Sequence, residues 1–150
     1  MSDFIPYGRQ WIDDDDVAAV VDALRSDWLT QGPRVADFER DLADRCGAEH
    51  AVAVTNGTAA LHLACMAAGV GAGDEVVTSP LTFLASANCA LYCGADVRFA
   101  DVDPSTGLVR PEAIADAATN RTKVVIPVHL NGSSADMGRV AVAARAAGAV

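Results

Sequence analysis

From residue 51 onward, short apolar runs alternate along the chain with longer stretches whose apolar residues follow a helical period. The short runs predict strands, and the periodic stretches between them predict helices. The predicted strands are Ala51–Val54, Glu75–Ser79, Val97–Val102 and Lys123–Val128; the predicted helices are Thr58–Ala68, Leu84–Cys93, Pro111–Ala118 and Ala135–Ala147. This alternation is typical of an α/β fold, a mostly parallel sheet with helices on both faces.

The first 50 residues follow a different pattern and predict an N-terminal helical segment. A helix is expected over Asp13–Ser26, where four Asp open the helix and Val17, Val20, Val21 and Leu24 form an apolar stripe. A second helix is expected from Pro33 to about Gly47, because Pro is tolerated in the first turn. Its residues Val35, Phe38 and Leu42 are predicted to point inward.

The final residues continue the strand and helix pattern. The sequence closes on "AAGAV", where Ala149 and Val150 look like the first residues of another buried strand. We therefore expect residues 51–150 to be an incomplete domain and the chain to be a fragment of a longer protein.

Charge and composition narrow the function classes. The net charge of −9 argues against nucleic acids and anionic membrane surfaces as partners, since both require Lys and Arg. No stretch approaches the ~20 apolar residues of a membrane span, and the polar N-terminus lacks a signal sequence, so a cytoplasmic location is expected. The four Cys contain no CxxC pair, which favours reduced, buried thiols over a metal site.

The turn Thr55–Thr58 is the first candidate site, because it follows a predicted strand and opens a predicted helix. Ligands of open parallel sheets bind at the carboxyl ends of strands. Gly57 allows close approach of a ligand, and the N–H groups of Thr58 and Ala59 with the Thr58 hydroxyl could hold a phosphate. The alternative is that Asn56 or Thr58 only caps the helix.

Other residues are predicted at the same edge of the sheet. Phe83 is either a core residue or a stacking face for a flat ligand. Asp101 and Asp103 are either ligands of a metal that holds a nucleotide sugar or turn-forming residues before Pro104. His129 follows the fourth strand and is expected to be structural. The glycine-rich stretch 69–75 precedes a strand instead of following one, so it predicts a helix stop and not a dinucleotide loop.

Several stretches together resemble the sugar aminotransferases of the DegT/DnrJ/EryC1/StrS family. They run in the family's order along nearly the whole chain: "IPYGRQWID", "SDWLTQGPRVADFERDLA", "VTNGTAALHLA", "GAGDEVVTSPLTFLASANCALYCGA", "RFADVD" and "VIPVHLNG". Within the family, "SDWLTQGP" and "SANCALYCGA" are most similar to the transaminase of pseudaminic acid biosynthesis. That enzyme forms UDP-4-amino-4,6-dideoxy-N-acetyl-β-L-altrosamine from a UDP-linked 4-keto sugar.

The resemblance implies a fold, a cofactor and roles for particular residues. Residues 51–150 would be the N-terminal part of the large domain of the aspartate-aminotransferase-like fold, which is fold type I of the pyridoxal 5′-phosphate (PLP) enzymes. Gly57, Thr58 and Ala59 match the cradle of the PLP phosphate, and Phe83 matches the residue that stacks on the pyridine ring. Thr30 and Tyr7 match positions near the substrate. Glutamate would be the amino donor, and the complete enzyme would be a homodimer.

The chain also departs from the family pattern. The acidic partner of the pyridine nitrogen and the lysine that bonds PLP would both follow Val150, so no catalytic residue is expected in the chain. Lys123 is the only lysine, but it starts a predicted strand, about 15 Å from the candidate edge at ~3.3 Å per residue. A non-catalytic homologue with the same fold and a metal-dependent nucleotide-sugar enzyme are the remaining alternatives.

Overall fold

The computed structural model describes residues 8–150, which divide into two compact units. The first unit ends at Ala53, and the second runs from Val54 to Val150. In chain order the helices and strands are α1 Asp14–Arg25, α2 Pro33–Cys46, α3 Gly57–Ala67, β1 Glu75–Thr78, α4 Ala85–Tyr92, β2 Asp96–Phe99, α5 Pro111–Ala117, β3 Thr122–Ile126 and α6 Met137–Ala146.

The first unit contains α1 and α2, whose ends agree with the sequence prediction. Asp13 caps α1, its side chain accepting hydrogen bonds from the N–H groups of Asp15 and Asp16. Gly47 ends α2 in the left-handed conformation, as glycine at this position commonly does. The glutamate side chain of Glu39 accepts a 2.7 Å hydrogen bond from the Ala53 N–H, which ties the following segment to α2.

The predicted inward face of α2 is wrong. Val35, Phe38 and Leu42 are exposed, and Ala43 is the only buried residue of the helix. The stripe of α1 is also largely open to solvent, with Val17, Val20 and Leu24 exposed. The physical reason is that residues 8–53 contain no sheet on which two amphipathic helices could bury these faces.

The second unit confirms the predicted parallel sheet with helices on both faces. Its strand order is β2-β1-β3, and β1 pairs in parallel with both neighbours. Neighbouring strand residues point to opposite faces, so Val76 joins a core with α3 and α4, whereas Val77 joins a core with α5 and α6. Val150 also bonds to β3, donating to the Lys123 carbonyl at 3.1 Å and accepting from the Val125 N–H at 2.8 Å.

The predicted strand Ala51–Val54 is not formed. No strand within residues 8–150 pairs with this segment, and Val52 is 76% exposed. Extended chain becomes a strand only through a ladder of hydrogen bonds to a neighbour, which this segment lacks.

The other elements start or stop within a few residues of the prediction. Strand β2 ends at Phe99 instead of Val102, because Val102 turns away to form an antiparallel bridge with Val109. Helix α6 begins at Met137 instead of Ala135, because Asp136 caps it by accepting from the Arg139 N–H.

The prediction that the cysteines are buried holds only in part. Cys65 and Cys89 are buried free thiols, but Cys46 is exposed, so burial of all four cysteines is wrong. None of the helices in the described part is long and apolar enough to cross a membrane.

Candidate active site

Helix α3 carries the first candidate site at its N-terminus, at the carboxyl edge of the sheet. The other end of α3 leads to Gly69, whose Cβ position would lie 3.7 Å from the Lys123 ammonium nitrogen at the start of β3. Because α3 has 11 residues and rises ~1.5 Å per residue, Gly57 lies roughly 15 Å from that amino edge. The turn that precedes α3 is therefore at the edge where ligands of parallel sheets bind.

The first turn of α3 is capped by Asn56. The carboxamide Oδ1 of Asn56 accepts a 2.9 Å hydrogen bond from the Ala59 N–H. The Ala59 N–H, which was predicted to help hold a phosphate, is therefore already satisfied by the side-chain cap. Among the described residues, no acceptor receives the N–H of Gly57 or of Thr58. Two donors at the positive end of α3 thus remain available, together with the half-buried Thr58 hydroxyl.

Gly57 leaves open space in front of these donors. A Cβ placed on Gly57 would have no heavy atom within 4 Å, and the residue has no positive φ that would require glycine. Neither packing nor backbone conformation in the described chain therefore explains the glycine. Free N–H donors, a hydroxyl and room for close approach are the features that a phosphate group needs.

Phe83 lies in the loop between β1 and α4, at the same edge. Its side chain is 78% exposed, so it is not a core residue within the described structure. The Phe83 carbonyl accepts from the Ser86 N–H at 3.0 Å and so belongs to the first turn of α4. The loop below it is ordered by the buried Ser79 hydroxyl, which accepts from the Leu81 N–H at 3.2 Å. A loop fixed by hydrogen bonds at both ends thus presents an aromatic ring to solvent.

The three loops that follow the strands meet at Gly107. A Cβ on Gly107 would lie 2.6 Å from Leu130 Cδ2 and 3.7 Å from Leu81 Cδ1, and its φ is +71°. Glycine is required here both by the conformation and by the lack of room. The β2–α5 loop therefore packs against the loop that carries Phe83.

The Asp101 and Asp103 carboxylates both have partners within the chain. The Asp103 carboxylate accepts from the N–H groups of Ser105 at 2.7 Å and Thr106 at 3.2 Å, and from the Ser105 hydroxyl. The Ser105 hydroxyl, followed by these N–H groups, holds the pKa of Asp103 below its usual value. Asp101 lies 3.6 Å from the Arg110 guanidinium. Within residues 8–150, no group of three His, Cys, Asp or Glu residues could hold a metal ion.

His129 makes a hydrogen bond within its own loop. Its Nδ1 accepts a 3.0 Å hydrogen bond from the Ala135 N–H and thereby closes the loop before α6. This agrees with the structural role expected for a lone histidine.

Thr30, one of the two predicted substrate residues, lies in the first unit. Thr30 is exposed in the tight turn between α1 and α2, where a Cβ on Gly32 would come within 2.7 Å of Trp28 Cβ. Tyr7 lies outside the described residues.

The amino edge carries a polar cluster that sequence patterns do not predict. Glu75 begins β1 and is 1% exposed; Thr119 donates to it at 2.6 Å, Arg121 donates to it as well, and Arg98 lies 3.8 Å away. The available signal was a charged residue at the start of an otherwise apolar strand. Lys123 belongs to this edge, since it is the extra residue in the β1–β3 register and lies 3.9 Å from Asp74.

Comparison with known proteins identifies relatives along almost the whole chain. A model of the DegT/DnrJ/EryC1/StrS aminotransferase family matches residues 10–150. The chain is 47% identical over 137 residues to spore coat polysaccharide biosynthesis protein SpsC of Bacillus subtilis (strain 168), covering 91% of the chain and 35% of SpsC.

Solved structures give the same result. The chain matches 3-amino-5-hydroxybenzoic acid (AHBA) synthase at 43% identity and a TM-score of 0.84, covering 93% of the chain and 37% of the synthase. It matches Spr1654 of Streptococcus pneumoniae, in its PLP form, at 33% identity and a TM-score of 0.85, covering 95% and 36%. The fold type I architecture is thereby confirmed. The chain spans about a third of the length of these relatives.

Proposed function

Because the chain belongs to the DegT/DnrJ/EryC1/StrS aminotransferase family, we propose that the complete protein transfers an amino group to a keto sugar with PLP as cofactor. The observation that carries the proposal is the first turn of α3. It combines free N–H donors, the Thr58 hydroxyl and a glycine that the fold itself does not require. The similarity to Spr1654, which has been solved in a PLP form and matches 95% of the chain, supports the choice of cofactor.

The described residues fit the phosphate and the ring of PLP. The Gly57 and Thr58 N–H groups and the Thr58 hydroxyl would bind the phosphate, whose charge the positive end of α3 favours. Ala59 would contribute through its place in the same turn, since its N–H is bound to Asn56. The exposed Phe83 ring would cover one face of the pyridine and exclude water from it. When bound, PLP supplies the amino-group carrier and the electron sink.

We further propose that the substrate is a nucleotide-linked 4-keto-6-deoxy sugar and that glutamate is the donor. Residue similarity in "SDWLTQGP" and "SANCALYCGA" supports the pseudaminic acid precursor, with UDP-4-amino-4,6-dideoxy-N-acetyl-β-L-altrosamine as product. Thr30, exposed in its tight turn, and Tyr7 would contact this substrate. The relation to a spore coat polysaccharide protein supports a sugar substrate of this general class.

Assembly, location and domain limits belong to the same proposal. We propose that the complete protein forms a homodimer and that it is located in the cytoplasm. Free thiols such as those of Cys65 and Cys89 stay reduced in that compartment. Residues 1–50 would be an N-terminal segment and 51–150 part of the PLP-binding domain; the division of the structure after Ala53 supports this assignment.

A direct assay tests the reaction. The complete protein is purified, freed of cofactor and incubated with PLP, glutamate and the UDP-linked 4-keto sugar. We expect PLP-dependent formation of 2-oxoglutarate and of the amino sugar in equal amounts. A UDP-linked sugar with its keto group at C3 is the matched control for the position of the keto group, and it should not be aminated. Tight PLP binding without transfer from any donor would instead identify a non-catalytic homologue.

A further inference from the structure

Asn56 is a neutral cap on the helix that carries the candidate phosphate site. Its Oδ1 accepts from the Ala59 N–H at 2.9 Å, and its carbonyl accepts from the Ala60 N–H at 3.1 Å. The residue is exposed, and no acceptor among the described residues receives the hydrogens of its Nδ2. The carboxamide therefore satisfies one backbone donor while it keeps hydrogens of its own for another acceptor.

The other helices with side-chain caps use aspartate. Asp13 caps α1, which has three further aspartates in its first turn, and Asp136 caps α6. Asp and Asn cap helices about equally well, and an acidic group also interacts favourably with the helix dipole. The stability of α3 alone therefore gives no reason for a neutral cap.

We propose that Asn56 is a positioning residue that admits the phosphate of the cofactor because it caps α3 without a negative charge. This inference rests on the proposed function, which places that phosphate at Gly57 and Thr58. A carboxylate at residue 56 would lie in the same turn as both N–H groups and would repel a phosphate dianion, because like charges a few ångströms apart repel each other near a protein surface. The carboxamide avoids that repulsion and still keeps the first turn in place.

The space around the turn agrees with this role. The Cβ position of Gly57 meets open space, and the first turn of α3 contains no acidic residue. Both features keep the approach to the free N–H groups open to an anion. Because Asn56 already binds the Ala59 N–H, the N–H groups of Gly57 and Thr58 are the donors left for the anion.

Three substitutions separate capping from charge. Asn56→Ser keeps a neutral cap, Asn56→Asp keeps a cap but adds a charge, and Asn56→Ala removes the cap. Asn120→Asp adds the same charge in the loop before β3, at the opposite edge, and is the matched control. Each variant of the complete protein is freed of cofactor, and its affinity for PLP and for inorganic phosphate is measured by calorimetry, alongside its melting temperature.

We expect Asn56→Asp to melt like the wild type but to bind PLP and phosphate about tenfold or more weakly, with the loss shrinking as KCl is added. Asn56→Ser and Asn120→Asp should bind PLP within about twofold of the wild type. Asn56→Ala should melt earlier and bind PLP more weakly, with a loss that salt does not reduce.

The outcomes distinguish the two proposals. If the wild type binds PLP and Asn56→Asp binds it equally tightly, the role of a neutral cap is overturned while the proposed function stands. If Asn56→Ser loses as much affinity as Asn56→Asp, charge is not the cause and the inference is again overturned. A wild-type protein that binds neither PLP nor phosphate overturns the proposed function and this inference together.

Discussion

The two edges of the same parallel sheet differ in how their polar groups are satisfied. At the amino edge, the buried Glu75 carboxylate is bound by Thr119 and Arg121, and Arg121 also reaches Asp96 at 3.2 Å. At the carboxyl edge, donors at the start of α3 have no partner in the described chain, and an aromatic ring faces solvent.

This difference supports the proposal that the carboxyl edge binds a ligand, whereas the polar groups of the amino edge stabilise the fold. Charged groups that satisfy one another inside the fold contribute to stability and have little capacity left for a ligand. Donors and rings left open gain partners only when something binds. We therefore expect substitutions at the amino edge to change unfolding and substitutions at the carboxyl edge to change ligand affinity.

The largest effect is expected at the amino edge. Glu75→Ala should lower the free energy of unfolding by about 3 kcal/mol, because the buried carboxylate loses its charge-assisted hydrogen bonds from Thr119 and Arg121. Asp96→Ala removes an exposed partner of the same Arg121 and should lower the free energy of unfolding by less than ~0.5 kcal/mol. Denaturant unfolding of the apoprotein measures both, and equal losses would contradict the distinction between buried and exposed partners.

At the carboxyl edge, Thr58→Ala tests the phosphate site. Loss of a hydroxyl bonded to a charged group should weaken PLP binding by about 1–3 kcal/mol, with little change in unfolding of the apoprotein. Titration of the apoprotein with PLP gives the affinity. Unchanged affinity would show that Thr58 does not contact the phosphate.

Phe83→Ala gives a smaller effect at the same edge. The ring is largely exposed, so the free energy of unfolding of the apoprotein should change by less than ~0.5 kcal/mol. Loss of the stacked ring should weaken the binding of PLP by about 1 kcal/mol and shift the absorption spectrum of the bound cofactor. A drop of several kcal/mol in apoprotein stability would instead mean that the ring is part of a core.

The core between the edges has its own pH dependence. Burial, and then the neighbouring Cys89 thiol, raise the pKa of Cys65 from its usual value to about 12. The folded state thus keeps the Cys65 proton over a range in which the unfolded chain loses it. The contribution of Cys65 to the free energy of unfolding is complete below pH 9 and is lost as the pH rises towards 12. At pH 10 the free energy of unfolding should be lower by about 1 kcal/mol.

Unfolding at pH 8 and pH 10 measures this dependence. Cys65→Ala should reduce the difference in unfolding free energy between the two values. Cys46→Ala, which changes an exposed thiol, should leave that difference as in the wild type.

The smallest effect is expected for Lys123→Ala. The ion pair between Lys123 and Asp74, at 3.9 Å, is partly exposed and should contribute less than ~0.5 kcal/mol to the free energy of unfolding. Because Lys123 lies at the amino edge, the covalent link between the complete protein and PLP should survive the substitution. Borohydride reduction and peptide mapping check this, and a cofactor adduct on Lys123 would overturn the assignment of the edges.

Local patterns in the sequence determined the α/β class, the parallel sheet and the edge on which candidate residues lie. The order strand, turn, helix at Phe83 places a residue at the carboxyl edge whatever the rest of the chain does. Caps such as Asp13 and Gly47 were also readable, because they depend on neighbouring residues only.

Tertiary structure decided everything that depends on a distant partner. Ala51–Val54 reads as a strand but forms none, since no described strand pairs with it, and Phe38 reads as buried but is exposed, since no surface in its unit covers it. Glu75 and Arg121 are 46 residues apart, so their pairing had no local signal. Periodicity reports which face of an element is apolar, whereas burial, pairing and a free donor depend on what lies opposite that face.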